Sequence, residues 1–398
     1  MAVVGPGLMG LGLAHAAAAA GLHVVLVSRN AAAADRGLAQ LGIDLQKRVE
    51  RGRLTPDARL ALLAAVSPAD SDVAMAPCGL LVEAVSEDRD VKAEVLRRME
   101  AVAAPGAILA TNTSGLPVSG LAAALADPGR FIGLHFFSPV DRMALVEVVM
   151  GHDTTASTID TALTWVRRLG KTPIVVRDGP GFFTSRVFSA YLDEAAAMVI
   201  EGIGPASIEN AATTAGMPQG PLAMLDETGI ELNWQQSRQA RVDGLADRFC
   251  RPLAWSVLDR MVRDGRRGRR HGGGFYDYPV DGPKQLWGGL ADWYAPPEHQ
   301  PEAADIRRRL MSAQALEAAR CLEEGTVGSA RDADTGSVLG LGFPVKEGGV
   351  LAQIERRGLP VFVAECDALA DRHGERFRPS DWLRACATDG NGFTRVNS

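Results

Sequence analysis

Cysteine is scarce in this 398-residue chain and carries no pattern: Cys78, Cys250, Cys321, Cys366 and Cys386 are scattered and odd in number. No Cys-x-x-Cys or Cys/His spacing suggests a metal site, and no disulfide framework is visible. The expectation is no bound metal and a reducing, cytoplasmic compartment. A lysine- or arginine-rich tail is also missing, and the formal net charge is −6. That argues against nucleic acid as a partner and leaves room only for a local basic groove. Finally, no Asp, Glu, Lys or Arg occurs before Arg29, which invites a signal-peptide or membrane reading. Against it, the stretch has no basic start, contains five glycines, Pro6, His15 and His23, and resolves into strand, glycine turn, helix and second strand. No membrane partner is expected.

What is present falls into two halves. Residues 2–4 read as a short apolar strand, Leu11 to Ala20 are strong helix formers, and His23 to Val27 read as a second strand. Residues 35–65 carry helical periodicity, and Gly79 to Val85 read as a buried strand. Strand-like runs at 107–110, 130–134, 145–149 and 173–176 alternate in part with helices at 90–103 and 155–169. The alternation predicts a doubly wound α/β sheet over roughly 1–177. Asp178-Gly179-Pro180-Gly181 then punctuates the chain, and helices dominate the remainder.

That second half contains a repeat. Arg186, Glu194-Ala195 and Glu201-Gly202 recur in spacing as Arg309, Glu317-Ala318 and Glu324-Gly325, and the loops 215–222 and 341–350 come in the same order. Two helical domains are expected, joined by a linker near 279–304. Coincidence between alanine-rich helices is the bland alternative; the shared order of glycine and proline favours duplication.

Gly5-x-Gly7-x-x-Gly10 lies between a strand and a helix, where glycine permits a tight turn and close approach of a pyrophosphate to the helix N-terminus. An empty strand–helix turn is the competing reading. At the end of the second strand an NAD site usually has Asp or Glu on the ribose hydroxyls. Here the residues are Ser28-Arg29-Asn30, so NADP, whose 2′-phosphate an arginine suits, stays open beside NAD. Downstream, Ser114, His135 and Glu147 put a hydroxyl, an imidazole and a carboxylate at strand ends or edges. A His with an orienting carboxylate and a hydroxyl for the reacting oxygen is the minimum set for moving a proton while a hydride leaves. A lone His in an apolar run is ordinarily core, and Glu147 alone reads equally as an edge-strand solubility residue. The basic run Arg266 to Arg270 before Gly272-Gly-Gly-Phe-Tyr-Asp-Tyr278 is either a solvated loop or a contact to phosphates of the cofactor or of CoA.

On these residues the chain resembles the 3-hydroxyacyl-CoA dehydrogenases, and most of all the dehydrogenase part of multifunctional fatty acid β-oxidation enzymes. The resemblance spans essentially the whole chain: the glycine turn with Leu8 and Met9, Val82-Glu83-Ala84-Val85 with Glu87 and Lys92, Thr111-Asn-Thr-Ser114, Leu134-His-Phe-Phe137, Asp178-Gly-Pro-Gly-Phe182, and both helical domains. It implies a Rossmann-like NAD-binding domain over 1–179 followed by two repeated all-α domains, 180–282 and 300–398. It also implies oxidation of (S)-3-hydroxyacyl-CoA to 3-ketoacyl-CoA. In that reading His135 is the general base, Glu147 its partner and Ser114 a donor to the substrate oxygen. The cofactor lies against Gly5, Gly7, Leu8, Met9, Gly10, Ser28, Arg29, Val85, Glu87, Lys92 and Ser138.

The chain departs from the family pattern at three serines. Ser185 stands where an asparagine usually touches substrate, Ser138 where asparagine is usual, and Ser28 where an acid is usual. A weakened binding or scaffold homologue is the alternative they support. The nearest enzyme alternative is a β-hydroxyacid dehydrogenase acting on a free acid, a class that generally uses lysine as its acid/base. The hydratase/isomerase part is absent, so the chain is expected to be either a standalone module or a trimmed piece of a multifunctional enzyme, with a hydratase/isomerase domain or subunit as its partner. The resemblance further implies that the internal repeat replaces a helical-domain dimer contact found in single-copy relatives.

Overall fold

The computed structural model describes residues 1–390 and 392–393. Its first half is built on one sheet of β1 (Ala2–Val4), β2 (Val24–Val27), β3 (Val66–Ala69), β4 (Leu80–Glu83), β5 (Ile108–Thr111), β6 (Phe131–Phe136), β7 (Leu145–Met150) and β8 (Thr172–Arg177). The spatial order is β3-β2-β1-β4-β5-β6-β7-β8. Between the strands run α1 (Leu8–Ala19), α2 (Ala31–Glu50), α3 (Pro56–Ala64), α4 (Arg89–Val102), α5 (Val118–Ala122) and α6 (Ala156–Arg168). Every residue of β1, β4, β5 and β6 is buried, which is why these strands read as apolar runs rather than alternating ones. The chain travels outward from β1 to β3 and returns on the other side at β4. This reversal opens the crevice at the C-terminal strand ends where doubly wound sheets take ligands.

Local chemistry sets the helix starts. Asn30, Thr55, Asp88 and Thr155 each accept a backbone N–H in the first turn of α2, α3, α4 and α6. Thr55, followed by Pro56 at the first helical position, splits the periodic stretch 35–65 into two helices. Two features depart from the sequence reading. β3 is too short and too proline-marked to register as a strand; it forms at the sheet edge, where the N–H that Pro68 lacks is not needed. β6 and β7 are antiparallel, because residues 137–144 are too few for the crossover a parallel pair requires.

By packing, the chain divides into Met1–Phe182 with Gly325–Gly328, and Phe183–Glu324 with the residues after Gly328. In the first unit the short 325–328 segment covers the outer edge of β8. Val327 bridges Val176, and Thr326 accepts the Arg177 N–H at 2.8 Å.

The second unit is helical: α7 (Thr184–Ile200), α8 (Pro205–Ala215), α9 (Pro221–Thr228), α10 (Ile230–Val242), α11 (Pro252–Arg263), α12 (Leu290–Trp293), α13 (Ala303–Glu323), α14 (Ala330–Leu341), α15 (Ala352–Arg357), α16 (Leu359–His373) and α17 (Asp381–Asp389). α7 and α13 pack on each other and exchange ion pairs reciprocally. Arg186 reaches Glu317 (2.6 Å) and Glu324 (2.7 Å), while Arg309 reaches Glu194 (2.6 Å) and Glu201 (2.6 Å). Burial penalises charge on Glu201 and Glu324, but the arginines outweigh it and hold both below the usual carboxylate range.

The basic run is structural on the contacts it makes. Arg266 donates to Gly274 O (2.6 Å) and Tyr276 O (3.0 Å) and lies over Trp287. Arg267 and Arg269 pair with Glu231 and Glu227. Among the described residues no helix is long and apolar enough to cross a membrane.

Candidate active site

His135 and Glu147 are register partners across β6 and β7. Side chains of directly opposed residues lie on one face of a sheet, and here His135 Nδ1 sits 2.7 Å from Glu147 Oε2. Glu147 is fully buried and the His135 side chain is 10 % exposed. Phe137 and Phe182 stand beside the imidazole, with ring centroids 4.4 and 6.1 Å away. With Nδ1 engaged by the carboxylate, Nε2 is the nitrogen left to exchange a proton with a ligand.

The neighbouring strand ends are tied to this pair by contacts that sequence reasoning does not single out. Asn112 Oδ1, just past β5, accepts the Phe136 N–H at 2.9 Å and fixes the end of β6. Thr113 Oγ1 donates to Glu87 Oε1 at 2.5 Å, and the Ser114 N–H donates to the same oxygen at 3.1 Å. Ser114 is therefore held at the C-terminal end of β5, half-buried, on the loop side of Glu87. Asp178 accepts the N–H groups of Val118 and Ser119 at 2.9 and 2.7 Å, anchoring the far side of that loop. The Thr-Asn-Thr run carries the signal for these contacts; the partner of each side chain is not legible in it.

Lys92 is 1 % exposed and bonds both oxygens of the fully buried Glu83, at 2.9 and 3.0 Å, with Glu87 at 3.2 Å. Glu83 also accepts from Thr111 Oγ1 (2.7 Å) and the Val85 N–H (2.6 Å). Burial works against charge on Glu87, yet the Lys92 ammonium, the Thr113 hydroxyl and the Ser114 N–H together hold it below its usual range. Glu83 is the hub of these contacts, a role its place in the Val-Glu-Ala-Val motif does not reveal.

The glycine turn fits a dinucleotide. A Cβ on Gly10 would lie 1.8 Å from Gly5 O, and one on Gly5 would lie 2.7 Å from Ala84 O, so both positions exclude side chains. A Cβ on Gly7 meets nothing within 4 Å. Open space therefore lies in front of the α1 N-terminus, which has no side-chain cap and no acidic residue in its first turn. Its unused amides and dipole suit a pyrophosphate. Leu8 is 66 % exposed and Met9 half-buried beside it. Ser28 is buried at the C-terminal end of β2, with Arg29 exposed after it, and Ser138 is exposed just past β6.

The loop bearing Ser138 is pinned by Lys171, whose ammonium donates to Val140 O (2.5 Å) and Met143 O (2.8 Å). Arg48 pairs with Asp141 on the same loop at 2.8 Å. The structure thus gathers Ser114, His135, Glu147, Glu87, Lys92 and the glycine turn within the sheet unit. Ser185 lies in the helical unit, half-buried on the first turn of α7.

Comparison with known proteins gives this geometry its context. Residues 1–179 match the family model "3-hydroxyacyl-CoA dehydrogenase, NAD binding domain", and residues 181–278 match its C-terminal domain. The chain belongs to the 3-hydroxyacyl-CoA dehydrogenase family. The fatty acid oxidation complex subunit alpha of Shewanella frigidimarina is 36% identical over 406 residues, covering 98% of this chain. The chain spans only 55% of that protein's length. A solved 3-hydroxybutyryl-CoA dehydrogenase from Escherichia coli is 27% identical with a TM-score of 0.83, matched over 97% of this chain and 98% of its own. An (S)-3-hydroxybutyryl-CoA dehydrogenase from Ralstonia eutropha is 32% identical with a TM-score of 0.66, matched over 98% of its own length but 70% of this chain. The first domain is thus of the NAD-binding type found in this family.

Proposed function

We propose that the chain oxidises (S)-3-hydroxyacyl-CoA to 3-ketoacyl-CoA, as a step of fatty acid β-oxidation in the cytoplasm. The observation that carries this reading is the 2.7 Å bond between His135 Nδ1 and the buried Glu147. His135 Nε2 takes the proton of the 3-hydroxyl, and Glu147 stabilises the imidazolium that forms. Ser114 donates to the substrate oxygen, and Ser185 supplies a further substrate hydrogen bond. NAD, when bound, would supply the acceptor for the hydride that leaves C3. Gly5, Gly7, Leu8, Met9 and Gly10 would hold its pyrophosphate, Ser28 and Arg29 its adenosine ribose, and Val85, Glu87, Lys92 and Ser138 its nicotinamide half. Reduction of acetoacetyl-CoA by NADH, followed by nicotinamide absorbance in the wild type and in His135→Gln, tests the assignment. Turnover that is equal in the two proteins would remove His135 from the chemistry.

The free-acid reading is disfavoured by the lysines. The sheet unit contains Lys47, Lys92 and Lys171. Lys47 pairs with Asp44 on α2, Lys92 is locked between two glutamates, and Lys171 holds two backbone carbonyls. Lys92 and Lys171 are engaged, and Lys47 lies on the exposed face of α2. Acetoacetate offered beside acetoacetyl-CoA separates the two substrate classes.

We further propose that residues 180–282 and 300–398 are two copies of one helical domain. The reciprocal Arg–Glu pairs support this, as do the matching glycines Gly229 (φ 95, ψ 115) and Gly358 (φ 90, ψ 124) that open α10 and α16. A relative whose whole length matches only 70% of this chain agrees with it. The paired copies bury inside one chain the face that a dimer would otherwise cover, and a hydratase/isomerase domain or subunit supplies the substrate. Analytical ultracentrifugation showing an obligate dimer held through residues 183–280 would refute the internal pairing.

A further inference from the structure

The adenosine end of the dinucleotide site lacks the group that would select NAD. In a doubly wound sheet the residue at the end of β2 meets the adenosine ribose, and a carboxylate there accepts from both ribose hydroxyls while repelling a 2′-phosphate. β2 ends at Val27, in register with Val4 of β1 and Ala69 of β3, and the next residue is Ser28. The Ser28 backbone N–H is spent on Ala69 O at 2.9 Å, while its hydroxyl makes no hydrogen bond within the described residues. Arg29 follows it directly, is exposed, and has neither hydrogen bond nor ion pair among the described residues.

The next helix adds to this. α2 runs twenty residues, its first turn carries no acidic residue, and its cap is the neutral Asn30. The nearest carboxylates by element are Asp35, in the second turn of α2, and Asp70, the residue after β3, both exposed. An exposed guanidinium, a buried hydroxyl and a helix N-terminus without acidic residues thus follow one another along the chain at the end of β2, the position that meets the ribose in doubly wound sheets. Each favours a dianionic group over a neutral hydroxyl.

We infer that this chain accepts the 2′-phosphorylated dinucleotide, NADP(H), with Arg29 and Ser28 as the specificity-determining pair. The inference rests on the dinucleotide site proposed above and changes its cofactor range, not its chemistry. Arg29 forks onto the phosphate oxygens, and the Ser28 hydroxyl donates to the same group or to the ribose.

Calorimetric titration of the full chain with 5′-AMP and with adenosine 2′,5′-bisphosphate tests this without turnover. The bisphosphate should bind roughly 10- to 100-fold more tightly, the worth of one or two charge-assisted hydrogen bonds, with the advantage shrinking as salt is raised. Arg29→Ala should erase most of that ratio and Arg29→Lys should retain part of it. Ser28→Asp should reverse it, with unchanged melting temperatures showing that the fold is intact. The ratio of kcat/KM for NADPH to that for NADH should follow the same order across the variants. Equal binding of the two nucleotides, or an Arg29→Ala ratio equal to the wild type, overturns the inference while leaving the dinucleotide site standing. Binding of neither nucleotide overturns both.

Discussion

His135 and Glu147 oppose each other in register on the one antiparallel pair of the large sheet, and the carboxylate reaches the imidazole from a fully buried position. The antiparallel turn matters to the chemistry. A parallel β7 would have required a crossover and placed the carboxylate on a distant stretch of chain. The short 137–144 connection instead puts base and partner on adjoining backbones, with Asn112 fixing the end of β6 from the other side. Geometry of this kind is set during folding and costs no reorganisation at the moment of reaction.

Replacing His135 by Gln keeps a side chain that hydrogen-bonds Glu147 but removes the proton acceptor. Turnover with acetoacetyl-CoA should drop by roughly 10²–10⁴-fold, the ordinary contribution of a positioned acid/base. Nucleotide affinity, measured by titration, should stay near the wild-type value, because the glycine turn lies on β1 and α1. A parallel loss of nucleotide binding would mean that the substitution disturbed the sheet rather than the chemistry.

Glu147→Gln separates charge from orientation. The amide oxygen still accepts from Nδ1–H, so the ring stays oriented, but no negative charge balances the imidazolium. We expect kcat to fall with KM little changed, since the charge is needed most when the proton has moved. Should KM rise and kcat hold, Glu147 would be serving substrate binding instead.

Much of the site is legible in the sequence, and the failures are physical. The glycine turn is readable because its spacing is imposed by the backbone, and His135 with Glu147 because two polar residues in apolar runs need each other. β3 is hidden because an edge strand of four residues with a proline follows no strand pattern. Glu83 is hidden for a different reason. A buried carboxylate looks the same in sequence as an exposed one until Lys92, Thr111 and the Val85 N–H are seen to converge on it. Pairings between distant residues, such as Arg309 with Glu194, are likewise a property of packing; the sequence offers the residues but not the exchange of partners.

The Glu83–Lys92 pair predicts an asymmetric response to mutation. Lys92→Met leaves Glu83 buried with an uncompensated charge, and should destabilise the sheet unit by about 3–5 kcal/mol. Adding Glu83→Gln to it removes that charge while keeping an acceptor for Thr111, and should recover part of the loss. Urea unfolding of the single and double variants measures both steps. A single variant within about 0.5 kcal/mol of the wild type, the range of ordinary surface substitutions, would show that the pair is not a buried hub.

Asp226 gives a pH dependence of definite sign. Burial pushes its carboxyl up to about 6, against the opposing hydrogen bonds from Phe275 N–H, Tyr276 N–H and the Tyr278 hydroxyl. An unfolded aspartate titrates near about 4. Between those values the folded chain keeps a proton that the unfolded chain has released. The contribution is therefore full below about 4 and is lost as pH rises through about 6. Its size is at most about 3 kcal/mol, the free-energy equivalent of that difference in proton affinity. Asp226 holds the 274–276 segment, where a Cβ on Gly274 would collide with its carboxylate. Unfolding should be followed by tryptophan fluorescence, since Trp234, Trp255, Trp287, Trp293 and Trp382 all lie in the helical unit. The wild type should lose stability between pH 5 and 7 (roughly the upper part of the window) relative to Asp226→Asn. The variant should be less stable throughout, since an amide cannot accept all three hydrogen bonds. Identical pH slopes in the two proteins would mean that Asp226 titrates in the ordinary range and that its hydrogen bonds, not its burial, set its charge.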